Sequence, residues 1–269
     1  MKNSNGMDEI ATLCDDVTFA ISDAIKNLVD TPKGNRVVGM GADGTPSKLI
    51  DVVAEDAALE ILASSGIDMK IVSEEKGHLT FGDHPEFTVV LDPVDGTYNA
   101  THGIPFFSVS IAVGNDDLSD IRYGKVFNLA TGMDFTAAKG GGAFCNDEEI
   151  QVSPLNKLSE FTVVAYGYLD GEDTLKRLGR NVRRVRSFGS AALELCYVAS
   201  ARVDAFVDLR SRMRVTDLAA GILIIKEAGG VVTDGHDQPL SGELNVTSRV
   251  NIVASNGNAH TNLEKTIVL

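Results

Sequence analysis

The stretch Thr88-Val89-Val90-Leu91-Asp92-Pro93-Val94-Asp95-Gly96-Thr97 reads as a buried strand that runs out into a carboxylate-bearing turn. Thr88 to Leu91 is a short apolar run with the β-branched composition of a core strand. Asp92 stands at its end, where a carboxylate can leave the sheet. Pro93 fixes φ and removes a donor, so the chain must turn. Asp95, three residues on, can bring a second carboxylate back beside the first. Gly96 lets the backbone approach a ligand, and the amides after it can open a short helix whose N-terminus favours a phosphate. Two carboxylates, the Val94 carbonyl and anion-facing amides make a metal and phosphate site. Read alone, the same residues are also ordinary turn formers.

Working outward, Ser73-Glu74-Glu75 ends the strand Met69–Val72, so Glu74 is another strand-end carboxylate; a solvated acidic turn reads equally well there. Asp217 opens the helix Leu218-Ala219-Ala220-Gly221-Ile222, where capping by Thr216 or Asp217 accounts for it in isolation. Asp43 lies in the glycine-rich segment Thr31–Gly44, and Asp51 in the helix after it; such residues are more often surface carboxylates than ligands. Glycines at 34, 39, 41 and 44 predict a mobile loop that can close over substrate and metal.

Residues 8–30 carry apolar side chains at helical spacing, and a second helix starts with Pro46 in its first turn and stops at Gly66. Strands follow at 70–73, 87–91, 107–113, 122–127, 133–138 and 149–152, an antiparallel meander after an N-terminal helix pair. Beyond it, strands at 162–165, 182–186, 203–207, 231–233 and 251–254 alternate with helices at 172–179, 190–200, 216–228 and 258–265. That alternation predicts a mixed sheet with helices on its faces. The composition shift near Leu155–Glu160 divides an N-terminal part, 1–155, holding most of the carboxylates, from a C-terminal part, 156–269, holding Asp217.

The chain has 269 residues, 43% hydrophobic and 23% charged, which is globular composition. Its net charge of −14 argues against a nucleic-acid partner and suits divalent cations, or a local basic patch for a small anion. Cys14, Cys145 and Cys196 are odd in number and form no CxxC, so neither a disulfide framework nor a zinc ribbon is indicated, and a reducing cytoplasm is the simplest compartment. The densest apolar run, Leu218–Ile225, is too short to span a bilayer, and the start lacks a signal-peptide core, so no membrane partner is expected. The five histidines are scattered, which argues against a histidine-built metal site.

In order and spacing, Ser73-Glu74-Glu75, Leu91-Asp92-Pro93-Val94-Asp95-Gly96-Thr97 and Asp217-Leu218-Ala219-Ala220-Gly221 resemble the three signatures of the inositol monophosphatase superfamily, which includes fructose-1,6-bisphosphatases. The segment Arg186–Glu194 is similar to a family segment before a buried helix. Many members carry Trp before the aspartate corresponding to Asp217; here it is Thr216, and the segment Asp208–Asp217 resembles the archaeal-type branch, whose members commonly act on both inositol phosphate and fructose bisphosphate. A Glu that contacts the inositol ring in animal-type members aligns with Arg210.

The resemblance implies an α/β (α+β) fold, a layered α-β-α-β-α sandwich with the site between its two parts. It implies Mg²⁺, with Mn²⁺ possible, as all-oxygen ligands favour. Glu74, Asp92 and the Val94 carbonyl would hold one ion, Asp92, Asp95 and Asp217 a second, and Glu74 with the loop near Asp43 a third. Glu74 and Thr97 would orient the attacking water, with Asp43 and Asp51 in the same catalytic set; the Gly96 and Thr97 amides would hold phosphate oxygens. Arginines crowd positions 177–186 and 210–214, most of them expected to pair with carboxylates. Arg184, Arg210 and Arg214 are the candidates for the far phosphate of a sugar bisphosphate. Ser187, Phe188, Gly189 and Ser190 would line the sugar pocket. Tyr98, Asn99, Tyr166 and Tyr168 are weaker candidates, for which packing is the more ordinary role.

The implied activity is hydrolysis of fructose 1,6-bisphosphate at its 1-phosphate and of inositol 1-phosphate, by a cytoplasmic homodimer in carbohydrate metabolism, specifically gluconeogenesis. Three other readings stay open: a 3′-phosphoadenosine 5′-phosphate phosphatase of the same fold, a non-catalytic phosphate- or metal-binding regulator, and a nuclease, against which the net charge argues.

Overall fold

The computed structural model describes residues 2–167 and 172–268. The amphipathic N-terminal segment forms α1 (Lys2–Ile25). It ends earlier than its periodicity predicts, because the Asp30 N–H leaves the helical ladder for the Ala100 carbonyl, 2.8 Å away. The glycine-rich segment is an ordered hairpin, not the loop expected: β1 (Val37–Met40) pairs antiparallel with β2 (Pro46–Lys48). Pro46 is therefore in a strand, and α2 (Leu49–Ser64) starts later than predicted, with the Lys48 N–H donating to Asp51 Oδ2.

An eight-stranded sheet follows, built from β3 (Met69–Ser73), β4 (Gly77–Phe81), β5 (Thr88–Asp95), β6 (Ser108–Gly114), β7 (Tyr123–Asn128), β8 (Asp134–Ala138), β9 (Ala143–Cys145) and β10 (Glu148–Glu149). Its order is β10-β9-β8-β7-β6-β5-β3-β4, antiparallel except for the β3–β5 pair. The edge strand β4 was not anticipated. A short helix, α3 (Thr97–Thr101), follows β5.

The second sheet contains β11 (Thr162–Tyr166), β12 (Arg184–Arg186), β13 (Ala205–Arg214), β14 (Val231–Thr233) and β15 (Arg249–Ser255), in the order β12-β11-β13-β15-β14. Between its strands run α4 (Glu172–Asn181), α5 (Ala191–Ala199) and α6 (Val215–Glu227); α7 (His260–Val268) closes the chain.

The helices divide these sheets into five layers. One core joins α1 and α2 to the first sheet through Val17, Ile21, Ile50 and Leu62 against Ile71, Leu91 and Ile111. The largest core places α5 and α6 between the two sheets, with Leu195, Leu218 and Ile224 meeting Val90 and Val126 on one side and Phe206 and Ile252 on the other. A third packs α4 and α7 on the outer face of the second sheet through Leu178 and Leu263. The α-β-α-β-α sandwich is thus observed. Every residue of α6 from Val215 to Ile225 is buried, which explains why that apolar run shows no one-sided pattern.

Two irregular strands shape the site. In β5, all of whose residues are buried, the register against β6 shifts between Asp92, opposite Ser110, and Asp95, opposite Ser108. Three residues thus span the length of two on the neighbour, a bulge. Pro93, which has no N–H for the ladder, sits inside it. In β13 the register against β15 shifts between Asp208 and Met213, and Ser211 takes φ 53° there.

Candidate active site and metal centre

Asp92 and Asp95 are an odd number of residues apart, so in a regular strand they would face opposite sides of the sheet. The bulge removes that parity. It replaces the turn expected at Pro93 as the device that turns both carboxylates towards the start of α6. Asp92 is fully buried. Its Oδ1 accepts the Val94 N–H at 3.0 Å, and its Oδ2 is buried without a hydrogen-bond partner.

Glu74 comes from the end of β3, beside β5 in parallel register, and Asp217 from the first turn of α6. One carboxylate oxygen from each of Glu74, Asp92 and Asp217 lies within 4.8 Å of the others. Asp217 accepts hydrogen bonds from the Arg214 guanidinium and the Thr216 hydroxyl, so its carboxylate is engaged in the cluster and capping does not account for it. Asp95 lies alongside, but its Oδ2 takes the Ser190 hydroxyl at 2.6 Å and the Ala192 N–H at 2.8 Å, tying the site to the start of α5.

The bulge in β13 delivers Arg214 into the middle of the carboxylates. Its guanidinium pairs with Glu74, with Asp43 Oδ2 at 3.1 Å and with Asp217 at 2.9 Å, and stands 3.8 Å from Asp92 Oδ2. Burial alone would weaken its hold on the proton; the charges of Asp217, Glu74 and Asp92 outweigh burial and raise its pKa. Asp43 is not a surface residue. It closes the hairpin turn by accepting the Thr45 N–H and hydroxyl, and its other oxygen meets Arg214 and, at 3.7 Å, Arg249.

Asp51 is also buried, unlike the surface carboxylate its local sequence suggests. Its Oδ1 has no hydrogen-bond partner. Thr97 is its neighbour across the site and donates its hydroxyl to the Val94 carbonyl at 3.1 Å. Gly96 takes φ 90°, and a Cβ there would stand 2.9 Å from the Gly189 carbonyl, so this position demands glycine.

Crowding and burial shift the acids. Burial, reinforced by Asp217, Asp51 and Asp43, pushes Glu74 up to about 8. Burial and the charges of Glu74 and Asp217 hold Asp92 well above the usual carboxylate range. Burial lifts Asp51 and Asp95 to about 7. Asp43 moves the other way: burial would raise it, but hydrogen bonds from Thr45 and Arg214 outweigh that and lower it. One guanidinium cannot neutralise four carboxylates. An orphaned, fully buried Asp92 oxygen in an all-oxygen donor set fits a hard divalent cation.

The predicted sugar pocket is partly a wall. Ser190 is buried on Asp95, and Phe188 packs against Phe106 at 5.1 Å between ring centroids; Ser187 and Gly189 are exposed. Asn99 donates to the Phe106 and Phe188 carbonyls, both at 2.7 Å, and Tyr166 donates to Glu194, so both are structural. Tyr98 is exposed and stacks on His102. Tyr168 lies outside the described residues. Arg210 is held in a fork by Asp208, at 2.6 Å and 3.1 Å, and lies over the Tyr166 ring. Arg184 is exposed at the start of β12, opposite Thr162, away from the strand end that leads to Ser187. Contrary to expectation, Arg180, Arg183, Arg184 and Arg186 make no ion pair among the described residues.

Sequence reasoning missed Glu55, Ser47, Glu75 and the role of Glu194. Glu55 had a signal: it lies one turn after Asp51, on the α2 face that also buries Ala54, Ala58 and Leu62. Glu194 accepts the Phe188 and Gly189 N–H groups, and a fully buried acid in an apolar helix marks such a role.

Clustered carboxylates able to hold a hard cation, on this five-layered fold, point to a phosphatase of the metal-dependent hydrolase class. The chain matches the inositol monophosphatase family over residues 8–268, and it belongs to that family. The fructose-1,6-bisphosphatase/inositol-1-monophosphatase of Methanothermobacter thermautotrophicus is 43% identical over 242 residues, 86% of each chain. The bifunctional NADP phosphatase/NAD kinase of Methanococcus maripaludis is 40% identical over 265 residues, 90% of this chain but 46% of that longer protein. A Pyrococcus horikoshii protein described by its similarities to inositol-1 monophosphatase superimposes with a TM-score of 0.83 at 31% identity, covering 96% of both chains.

Proposed function

We propose that this chain is a Mg²⁺-dependent phosphomonoesterase that hydrolyses fructose 1,6-bisphosphate at its 1-phosphate, and inositol 1-phosphate. The observation that carries the reading is the meeting of Glu74, Asp92 and Asp217 from three separate segments around one point. Glu74, Asp92, Asp95, Asp217 and the Val94 carbonyl would hold two ions, with Asp43 and Glu74 available to a third. Bound Mg²⁺ supplies positive charge that offsets the phosphate dianion and makes water a better nucleophile.

The chain's own groups do the rest. Glu74 and Thr97 orient the attacking water. Thr97 Oγ, whose hydroxyl rests on the Val94 carbonyl, would turn its proton to Asp51 as it accepts one from water; Asp51 Oδ1 has no hydrogen-bond partner. The water oxygen forms the new P–O bond, the ester P–O bond breaks, the leaving oxygen takes a proton from solvent, and Asp51 returns the proton it received to solvent. Amides at Gly96 and Thr97 hold the non-bridging oxygens. Arg214 stands among the carboxylates, and we assign it to a substrate phosphate; Arg210 is already committed to Asp208, and Arg184 opens β12 at the end away from Ser187. Three buried free thiols suit a reducing cytoplasm. No described helix is long and apolar enough to cross a membrane. We also take the working unit to be a homodimer, and the activity to serve gluconeogenesis.

A second reading, removal of phosphate from an adenosine nucleotide, is favoured by the named activity of the bifunctional relative. Phosphate release with and without Mg²⁺ from fructose 1,6-bisphosphate, inositol 1-phosphate, NADP and 3′-phosphoadenosine 5′-phosphate separates the two. Preference for the first pair supports the proposal. Release only from the nucleotides replaces it, and no release from any leaves a non-catalytic regulator.

A further inference from the structure

We propose that Glu55 is a positioning residue: it aims Glu74 into the carboxylate cluster and anchors the Asp43 hairpin against the same turn. Glu55 is fully buried in α2. Its two oxygens take separate backbone donors, the Glu75 N–H on Oε2 and the Lys76 N–H on Oε1, each at 2.8 Å. A carboxylate gripping two consecutive amides sets the rotation of the turn as well as its place. That turn joins β3 to β4 and carries Glu74 at its start.

The other end of the turn holds the hairpin. The Glu75 carbonyl accepts the Ala42 N–H at 3.0 Å, and the Glu75 carboxylate accepts the Ser47 hydroxyl. Asp43 follows Ala42 directly. Glu55 therefore stands at the base of two branches, one ending at Glu74 and the other at Asp43. It makes no ion pair among the described residues, and its two oxygens are engaged by the two amides. Residues that orient metal ligands typically change metal affinity when altered, even though they touch no metal.

The proposal rests on the metal-site reading above, and the test keeps the two apart. Glu55→Gln retains the volume and one acceptor but sets an NH₂ against a backbone N–H. Titration calorimetry of Mg²⁺ into the full chain should show Kd weakened roughly 10- to 100-fold. The Mg²⁺ saturation curve for phosphate release should shift in parallel, with kcat largely recovered at high Mg²⁺ and KM for the sugar phosphate little changed. Glu55→Asp keeps both acceptors one methylene short and should fall between wild type and Glu55→Gln. A folded Glu55→Gln protein with wild-type Mg²⁺ affinity overturns the proposal, even with a lowered Tm, since that outcome marks a purely structural role. Should Glu55→Gln not fold, an unchanged Kd in Glu55→Asp overturns it equally. Wild-type protein that binds no Mg²⁺ sinks the metal-site reading, and this inference with it.

Discussion

Asp92 concentrates the chemistry of the site in one side chain. It is fully buried, one of its oxygens lacks a partner, and neighbouring carboxylates oppose its ionisation. Asp92→Asn removes the charge and keeps the shape. Altering residues that merely orient metal ligands lowers activity by roughly 10- to 100-fold, so the loss of Asp92 as the proposed ligand should exceed about 100-fold in Mg²⁺-dependent phosphate release. Thermal melting of the metal-free variant should show a Tm equal to or above wild type, because a repulsive buried charge is gone. Normal turnover would remove Asp92 from the site.

Glu194 offers a cleaner pH test. Burial pushes it up to about 7, against an ordinary value of 4.5. Between those values the folded chain binds more protons than the unfolded chain, so stability falls as pH rises through that window. Glu194→Gln keeps Oε1 for the Phe188 and Gly189 amides, while the Tyr166 hydroxyl can turn from donor to acceptor. Urea unfolding from pH 4.5 to pH 8 should show a weaker decline in the variant than in wild type. Parallel curves would show that Glu194 titrates alike in both states.

At the level of elements, two bulges decide what two sequence segments can do. Thr88–Thr97 was legible as a strand with carboxylates at its end, because the apolar run and Pro93 are local signals. That Asp92 and Asp95 share a side was reached through the wrong device, a turn, because bulges depend on the partner strand's register. The same limit hid the Arg210–Arg214 excursion, which continues β13 beyond the strand predicted at 203–207. Read locally, Asp43 and Asp51 look like surface carboxylates, and only the family resemblance placed them in the catalytic set, because their burial comes from Arg214, Arg249 and packed neighbours remote in sequence.

Helices α5 and α6 supply the element-scale prediction. Gly221 is buried where they cross, and a Cβ there would stand 2.7 Å from Leu195 Cβ and Cδ1. Gly221→Ala gains helix propensity, about 1 kcal/mol. The overlap with Leu195 should outweigh it, as overpacked cores lose about 1–3 kcal/mol. A lower urea midpoint is expected, and a raised one would mean that the helices separate without strain.

On the scale of the whole molecule, the acidic cluster couples metal to stability. Glu74 is raised to about 8, Asp51 and Asp95 to about 7, and Asp92 higher than its ordinary range. Without metal, each raised acid lowers stability as pH rises from its unfolded value towards its folded one. Protein in chelator should therefore melt at lower temperature at pH 8 than at pH 6. Mg²⁺ at about 100 times its Kd should add about 2.7 kcal/mol, with the larger gain in Tm at pH 8. A Tm indifferent to both chelator and pH would contradict the cluster as a cation site.

Residue order alone settled the family, the all-oxygen character of the site and most helix and strand identities. Those properties are written in local periodicity and in side-chain types that keep their chemistry wherever they are placed. The folded chain alone decided which acids face one another, that Arg214 stands among them, and that Glu55 and Glu194 hold the surrounding turns. Such meetings join segments up to 206 residues apart, as between Asp43 and Arg249. They arise from strand register and layer packing, which no neighbouring residue in the chain can report.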